Sequence, residues 1–308
     1  MTAPVVVVVN PTSGRGRGAR LVPEVRQQLT ALGVEHEIVL SESPVDPPRI
    51  ARQAAEDGAD IVAAVGGDGM AGMVGSALIG MRTALAVIPA GTGNDFAGFL
   101  GFKRGKPLSV LPSLVDPEIR DIDAVRITGA AGAGEAHFIN VAGAGFDSEV
   151  NETANRMKTR VQGTAKYVAA VFSTLRRYKP ATFEVTVDGK HHSLPGMLVA
   201  VGNGRSYGGG MKVCPDASLS DGLLEVCVVG AMGRAEFVRN FPRVFRGTHT
   251  THPKVTMLRG SRVEIAADRH FHIYADGEQS LPLPAAFEVV PSSLRVVVPK
   301  GSSKGAAA

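Results

Sequence analysis

The first 95 residues alternate between short apolar runs and glycine-rich turns, and this alternation restricts the fold more than any other feature. Val5–Val9 is five valines in succession, which is typical of a parallel strand buried on both faces. A glycine-rich loop, Asn10–Gly18, follows, and then a helical pattern that carries Leu21, Val25 and Leu29. Further strands are predicted at 34–40, 60–65 and 84–88, with helices between them. This order predicts an α/β domain with a doubly wound parallel sheet.

The pattern changes after about residue 122, where apolar strand-like segments follow one another with few helices between them. Strands are predicted at 125–128, 136–141, 182–187, 197–201, 223–229, 262–266 and 271–275. Helices are predicted at 152–178 and near 235–245. We therefore expect a C-terminal antiparallel β-rich domain. The last predicted strand, 294–298, resembles the first strand in composition and fits either domain.

Composition excludes several classes of protein. The 308 residues, 44% hydrophobic and 20% charged, fit a globular chain of about two domains. The net charge of +4 suits phosphate or a transient anionic membrane surface, but basic runs with interleaved aromatics are absent, so no nucleic-acid partner is expected. Cys214 and Cys227 cannot form a four-ligand zinc site, and we expect buried free thiols. No apolar run approaches a membrane span of about 18 residues, so we predict a cytoplasmic, peripheral protein.

Three glycine-rich turns follow strands of the predicted parallel sheet, at the edge where open α/β sheets bind ligands. They are Asn10–Gly14, Gly66–Gly69 and Gly91–Asp95. Glycine lets the backbone N–H groups approach a phosphate closely. A single turn of this kind commonly does no more than join a strand to a helix, but three at one sheet edge favour a phosphate site. The Walker P-loop and the Rossmann glycine pattern are both absent.

Carboxylates at turns form a second group of candidates. Asp276–Glu278 follows a predicted strand, Asp221 precedes another, and Asp121 and Asp123 lie where the first domain ends. Such residues often do no more than cap turns. Phosphoryl transfer, however, needs metal-bound phosphate and a carboxylate that orients or deprotonates the acceptor hydroxyl. These residues could supply both parts.

The same motifs, in the same order and at similar spacing, occur in the diacylglycerol kinase catalytic family, which also includes sphingosine and ceramide kinases. They are Asn10-Pro11-x-Ser13-Gly14, Gly66-Gly67-Asp68-Gly69, Pro89-x-Gly91-Thr92-Gly93-Asn94-Asp95, Pro215-x-Ala217…Asp221-Gly222 and Asp276-Gly277-Glu278. The chain resembles this family over nearly its whole length. Asn203–Gly210 and Asn155–Met157 look most like the actinobacterial members.

The resemblance implies a kinase that uses ATP and Mg²⁺ to phosphorylate diacylglycerol or a similar lipid alcohol. Phosphorylation of diacylglycerol gives phosphatidic acid. The implied ATP contacts are Asn10, Pro11, Thr12, Ser13, Gly14, Ser41, Gly66, Gly67, Asp68, Gly69, Thr92, Gly93 and Asn94. Glu278 is implied to be the general base, and Asp68 to help hold the catalytic magnesium through water. A structural magnesium is implied at Asp221 and the carbonyl groups of Ser218 and Leu223, with Asp123 in the same network.

The resemblance also implies how the domains are divided. The C-terminal strand of the family folds back onto the first domain. We therefore predict a nucleotide-binding domain at 1–123, completed by 290–300, and a lipid-substrate domain at 124–289. The active site is expected in the cleft between them, a disordered tail is expected at 301–308, and a homodimer is left open.

The sequence departs from the family after the second glycine turn. The family has G-G-D-G-T-x-N-E, whereas this chain has Met70, Gly72 and Met73 at the Thr, Asn and Glu positions. Two alternatives therefore stay open. One is a kinase of another lipid alcohol, such as sphingosine or ceramide. The other is a catalytically weak lipid- or nucleotide-binding protein, although such a protein has no need of Glu278.

Two further patterns have competing interpretations. Arginines and phenylalanines recur at helical spacing and could form an interfacial membrane element, although such stripes are more often core. They are Arg239, Arg243 and Arg246, and Phe237, Phe241 and Phe245. His270 and His272 could bind a metal, but no third ligand presents itself, and alternating strand histidines are the simpler interpretation.

Overall fold

The computed structural model describes residues 4–43, 45–157 and 164–301, and the chain divides into two compact units. The first unit holds the residues up to Ala124, Leu219–Asp221 and the chain from Pro291 onward. The second holds Val125–Ser218 and Gly222–Val290. Residues 302–308 of the predicted tail lie outside the described residues.

Within the described residues, the strands β1 to β15 are, in order, Val5–Val9, His36–Leu40, Ile61–Gly66, Ala84–Pro89, Glu118–Gly129, Glu135–Phe138, Val141–Gly145, Ala181–Val187, Lys190–Gly202, Leu224–Gly230, Val255–Gly260, Arg262–Ala267, His272–Ala275, Glu278–Pro282 and Ala285–Val298. The helices α1 to α7 are Ser13–Ala31, Asp46–Glu56, Asp68–Leu78, Asp95–Phe99, Phe146–Arg156, Thr164–Leu175 and Arg234–Asn240. Short 3₁₀ segments cover Pro107–Leu114, Ala130–Gly132, Phe241–Arg246 and Thr248–Thr251.

The first unit is built on a parallel sheet in the order β2-β1-β3-β4-β15. All five valines of β1 are buried, and α1 contributes a buried stripe of Leu21, Val25 and Leu29 to the core. The C-terminal part of β15 completes the sheet through the pair Val296↔Leu85. The predicted doubly wound parallel sheet is therefore confirmed.

The second unit is an antiparallel β structure, as predicted. Its central strand, β9, pairs with β7, β8 and β10, and further antiparallel pairs extend the sheet to β12 and β15 on one side and to β13 and β14 on the other. One apolar cluster fills this unit, with Phe138, Phe183 and Phe287 at most 2% exposed. Both cysteines are free and buried, which confirms the predicted thiols.

The predicted helix at 152–178 is wrong. The structure has α5 and α6 in its place, because the backbone is already extended at Met157, directly after α5. Residues 158–163 of the predicted helix lie outside the described residues. The helix predicted near 235–245 is shorter as well: α7 ends at Asn240, and Phe241–Arg246 forms a 3₁₀ segment that contains Pro242.

The strand predicted at 136–141 is two strands, β6 and β7, because the backbone N–H groups between them donate to a carboxylate instead of a neighbouring strand. The sequence analysis also missed β11. Among the described residues, no helix combines the length and the apolar character needed to cross a bilayer.

Candidate functional site

The loops after β1 and β3 lie where the strand order of the first unit reverses. Sheets of this topology bind ligands at that point, outside the carboxyl ends of the strands. In the loop after β1, the side-chain oxygen of Asn10 accepts hydrogen bonds from the backbone N–H of Thr12 (3.0 Å) and from the Thr12 hydroxyl (2.8 Å). The next turn has positive φ at Gly14, Arg15 and Gly16. Successive N–H groups in such turns can form an anion-binding concavity.

The three glycine turns, which the sequence analysis expected at one sheet edge, approach one another closely. A Cβ atom on Gly14 would lie 2.1 Å from the carbonyl oxygen of Ala90, and one on Gly91 would lie 2.4 Å from the Cα atom of Gly67. The backbone N–H of Gly91 donates to the carbonyl oxygen of Gly66 (3.1 Å). Only glycine therefore allows this close approach, which leaves main-chain groups at the sheet edge.

Asp68 begins α3 at this edge, and its carboxylate accepts a hydrogen bond from the backbone N–H of Phe96 (2.9 Å). Burial raises the pKa of Asp68 to about 6, the Phe96 N–H opposes this rise, and the nearby Asp95 carboxylate adds to it. Asp95 is fully buried and pairs with the Arg104 guanidinium at 3.1 Å. The sequence analysis gave Asp95 no role, although it closes the third motif.

The other implied ATP contacts lie in the same unit. Ser41 is buried, and its backbone N–H donates to the carbonyl oxygen of Val9 (2.9 Å), which places it beside the end of β1. Asn94 holds the third turn, because its side chain exchanges hydrogen bonds with the backbone of Gly91 (2.9 and 2.8 Å). Thr92, in contrast, is exposed. Asn94 therefore has a structural role within the turn.

The residues that depart from the family pattern lie in α3. Met70 is 2% exposed and Gly72 is buried, while Met73 is half-buried. A Cβ atom on Gly66 would lie 2.4 Å from the Cβ atom of Met70. The Met70 side chain is thus part of the core of the first unit.

The residues implied for a structural magnesium occupy the 218–223 loop and β5. Asp123 is 2% exposed, its carboxylate accepts the backbone N–H of Ser292 (2.8 Å), and its own N–H donates to the carbonyl oxygen of Leu219 (2.6 Å). Asp221 is exposed and Ser218 is buried. No three His, Cys, Asp or Glu side chains cluster as a metal site among the described residues. Carboxylate and carbonyl oxygens are nevertheless the ligands that Mg²⁺ prefers.

Glu278 lies at the start of β14, directly after a tight turn in the second unit. Asp276 and Gly277 form this turn with positive φ values of 51° and 91°, and Ala275 pairs with Glu278 across it. Glu278 is exposed and makes no ion pair within the described residues. Desolvation by the surrounding protein nevertheless raises the pKa of its carboxyl above the ordinary value. A carboxylate with a raised pKa suits a general base.

The Asp276 carboxylate holds this turn in place. It accepts hydrogen bonds from the backbone N–H groups of Ile139 (2.9 Å), Asn140 (3.0 Å) and Val141 (3.1 Å). The backbone N–H of Asp276 in turn donates to the carbonyl oxygen of Val141 (3.0 Å). The position of Glu278 is therefore set by a buried carboxylate two residues earlier, a role that the sequence analysis did not assign.

Two buried asparagines extend this network. Asn203 donates its side-chain amide to the carbonyl oxygen of Ile139 (2.7 Å), and Asn140 donates its amide to that of Ser206 (2.9 Å). Asn203 and Ser206 belong to a motif of the family resemblance, and in this structure they support the segment that Asp276 binds. Asn155 belongs to another motif of the resemblance, and its side chain is not among those that the structure describes.

The basic and aromatic element that could contact a membrane is partly packed against the protein and partly exposed. Phe237 is 7% exposed and stacks on the half-buried Phe241, with ring centroids 5.9 Å apart. Arg243 is bound to the carbonyl oxygen of Thr248 (2.8 Å) and the hydroxyl of Thr251 (2.7 Å). Of the three phenylalanines, Phe245 alone is exposed. Phe237 and Phe241 therefore pack against the protein, as aromatic stripes commonly do, whereas Arg239, Phe245 and Arg246 are exposed.

His270 and His272 lie side by side, with Nε2 atoms 3.4 Å apart. They line a polar pocket of the second unit together with Glu149, Glu152 and Arg156. Only His272 lies in a strand, β13, whereas His270 precedes it, so the interpretation as alternating strand histidines does not fit the pair.

Comparison with known proteins agrees with these features. The family model for the diacylglycerol kinase catalytic domain matches residues 4–127, and the one for the YegS C-terminal NAD kinase beta sandwich-like domain matches residues 140–298. The chain is 34% identical to a diacylglycerol kinase of Mycobacterium tuberculosis, over 96% of this chain and 95% of that protein. It is 31% identical to a diacylglycerol kinase of Bacillus subtilis, over 96% of each chain.

Solved structures show the same fold. A crystal structure of a diacylglycerol kinase from Bacillus anthracis str. Sterne has a TM-score of 0.73 at 20% identity, covering 96% of this chain and 97% of that one. A second structure from the same organism reaches a TM-score of 0.78 at 23% identity, with coverage of 96% and 95%. Together with the family models and the sequence identities, these findings place the chain in the diacylglycerol kinase family of lipid kinases.

Proposed function

We propose that this protein transfers the γ-phosphate of ATP to the free hydroxyl of diacylglycerol and releases phosphatidic acid and ADP. The observation that carries this proposal is the placement of Glu278, a carboxylate without an ion pair among the described residues, directly after a turn that the buried Asp276 holds in place. The names of the relatives from Mycobacterium tuberculosis and Bacillus subtilis support diacylglycerol as the acceptor.

The first unit binds the nucleotide in this proposal. The loops Asn10–Gly14, Gly66–Gly69 and Gly91–Asn94 form the phosphate site at the sheet edge, and Ser41 and Thr92 add hydroxyl groups. The helix α3 begins at Asp68, and a helix N-terminus favours negative charge. Close glycine packing keeps these loops fixed, so the site is formed before ATP arrives.

Glu278 accepts the proton of the lipid hydroxyl as the hydroxyl oxygen forms its bond to the γ-phosphorus. The bond between the γ-phosphorus and the oxygen of the β-phosphate breaks, and the electron pair leaves with ADP. Desolvation raises the pKa of Glu278, which makes it a stronger base than an ordinary glutamate. Asp276 positions it through the N–H groups of Ile139–Val141.

The carboxylate of Asp68 suits a magnesium ion held through water, and Asp221 with the carbonyl oxygens of Ser218 and Leu223 suits a second, structural ion near Asp123. When bound, magnesium neutralises charge on the phosphate oxygens of ATP. A divalent cation also favours the ionised form of Asp68, whose pKa burial raises to about 6.

The test is transfer of labelled γ-phosphate to diacylglycerol in mixed micelles with magnesium, with Glu278→Gln as the variant. Loss of a general base is expected to lower kcat by about 10²–10⁴-fold. Because desolvation opposes ionisation of Glu278, its neutral replacement is expected to fold at least as stably at pH 7. Glu264→Gln, on β12 of the same unit, is the matched control and should retain full activity.

Each alternative gives a different result. Labelling of ceramide or sphingosine in place of diacylglycerol would keep the mechanism and change the substrate. ATP binding without labelling of any lipid alcohol would overturn the proposal and leave a nucleotide-binding protein. Wild-type labelling that persists in Glu278→Gln would reject Glu278 as the base.

A further inference from the structure

The helices α6 and α7 of the second unit expose apolar side chains on one face. Phe172 is 49% exposed, Val168 is 38% exposed one turn earlier on α6, and Val238 on α7 is 40% exposed. Phe172 and Val238 line the same shallow depression, with the buried Leu175 beneath them. We call this surface, with the arginines described next, the α6–α7 face. Adjacent apolar side chains of this size on a surface indicate a contact site.

Arginines surround these apolar groups. Arg176, Arg234 and Arg239 line the same depression as Phe172 and Val238, and all three are exposed. The guanidinium of Arg234 donates to the carbonyl oxygen of Arg176 (2.7 Å), which links α7 to the end of α6. None of the three makes an ion pair within the described residues, and no carboxylate lines the depression. Glu236, the acidic residue of α7, is paired with Lys254 at 2.8 Å.

An apolar centre with a cationic border matches the interface of an anionic bilayer. Exposed phenylalanine and valine side chains can enter the boundary between headgroups and acyl chains, while arginines bind lipid phosphates. A protein partner with an acidic border would match the charges but gives no reason for the single exposed ring at the centre. We propose that the α6–α7 face docks on a bilayer that carries anionic phospholipid, an inference that rests on the proposed function because a diacylglycerol substrate resides in such a bilayer.

This surface differs from the basic and aromatic element that the sequence pattern suggested. Phe237 and Phe241 of that element are packed inward, whereas Phe172 lies on α6 and is exposed. Arg239 belongs to both, and it is the arginine of the original element that borders the depression.

The chain contains no tryptophan, so a single introduced one reports on its own position. Phe172→Trp keeps an aromatic ring on the α6–α7 face. We expect its emission to shift to shorter wavelength with vesicles that contain phosphatidylglycerol, and brominated acyl chains to quench it. Val115→Trp, at a residue of the first unit that is 54% exposed, is the matched control and should show neither effect.

The arginines are tested by vesicle flotation. Each of Arg176→Gln and Arg239→Gln is expected to weaken binding to phosphatidylglycerol vesicles about fivefold, and high salt should weaken wild-type binding in the same way. Arg26→Gln, an exposed arginine on α1, is the matched control and should leave binding unchanged. Vesicles of phosphatidylcholine alone should bind the wild type much less.

Three results would overturn the inference. The protein could float with the vesicles while the Phe172→Trp emission stays unchanged, which would place the docking surface elsewhere. Its emission could shift with protein concentration in the absence of vesicles, which would make the face an interface between two copies of this chain. The protein could also fail to bind anionic vesicles. None of these readouts needs catalysis, so phosphorylation of micellar diacylglycerol by a protein that does not dock would reject the surface and keep the proposed function.

Discussion

The second unit contains two Asp-Gly turns, which differ in the residue that follows them and in the burial of the aspartate. Asp188-Gly189 joins β8 to β9, and Asp276-Gly277 joins β13 to β14. Both turns have positive φ at both residues, which matches the type I′ hairpin turn. In each, the aspartate accepts backbone N–H groups of another segment: Ser261 and Arg262 for the first turn, Ile139–Val141 for the second.

The residue after the turn and the burial of the aspartate separate the two. The first turn is exposed and leads to Lys190, and the N–H of Arg262 lowers the pKa of Asp188. The second has a buried Asp276 and leads to Glu278, whose pKa desolvation raises. An Asp-Gly turn by itself therefore only joins two strands. The surroundings of the second turn give Glu278 the properties of a base.

Among the variants that compare the two turns, the largest effect is expected when the hydrogen bonds of Asp276 are weakened. Asp276→Asn removes the charge from the hydrogen bonds to Ile139–Val141, and an amide cannot satisfy all three N–H donors. A displacement of Glu278 by about 1 Å can cost about 10²-fold in kcat, whereas KM for ATP should not change. Steady-state kinetics separates the two parameters.

Asp188→Asn is the matched control for this positioning role. It weakens the corresponding hydrogen bonds of the first turn and should cost stability in thermal unfolding without a change in kcat. If both variants lowered kcat equally, the two turns would not differ in function. If Asp276→Asn raised KM for ATP instead, its role would not be to position Glu278.

The next largest effect is expected in the pH dependence of kcat/KM. Because the base must be ionised, kcat/KM should fall about tenfold for each pH unit below the pKa of Glu278. Desolvation raises that pKa above 4.5, so the acidic limb should lie above pH 4.5. Glu278→Gln should lose this limb in its residual activity, whereas Asp188→Asn should keep it. A limb at or below pH 4.5 in the wild type would contradict the effect of desolvation.

Alanine at the two turn glycines should have smaller and matched effects on stability. Neither Gly277 nor Gly189 has an atom within 4 Å of a built Cβ, so both substitutions act through positive φ alone. Each should cost about 1–2 kcal/mol of unfolding free energy. Thermal unfolding should show similar losses, while Gly277→Ala alone lowers kcat. Equal activity of the two variants would show that Glu278 tolerates movement of its turn.

The smallest effect on phosphoryl transfer is expected when a glutamate is placed after the first turn instead of the second. Lys190→Glu gives the first turn the sequence Asp-Gly-Glu, but Asp188 of that turn is exposed whereas Asp276 is buried. In the Glu278→Gln background it should restore no phosphoryl transfer in the labelled-phosphate assay. Restored activity would mean that the sequence Asp-Gly-Glu suffices without its surroundings.

The parallel sheet of the first unit was predictable because its strands are uninterrupted apolar runs that end in glycine turns. Val5–Val9 and the turn after it carry both signals. The strand β7 was not predictable from its pattern, since Val141–Gly145 consists of small residues without alternation. The break before it depends on Asp276, a residue about 135 positions further along the chain.

Some residues of the candidate site were likewise predictable from the sequence, and others were not. The three glycine turns and Glu278 stand out in the sequence as motifs. The buried Asp95 beside Asp68, the inward packing of Met70 and the asparagines around Asp276 depend on contacts between distant segments. The exposure of Phe172 was equally hidden, because a helical pattern shows which residues share a face but not whether a neighbour covers that face.

The sequence by itself determined the two fold classes, the turns and the residue types that can carry phosphoryl chemistry. Those properties follow from local backbone preferences and from the order of motifs. Only the tertiary structure decided which of the two Asp-Gly turns has a buried aspartate and that desolvation raises the pKa of Glu278. The physical reason is that desolvation and hydrogen bonding depend on what surrounds a group in space, and segments far apart in the chain supply those surroundings.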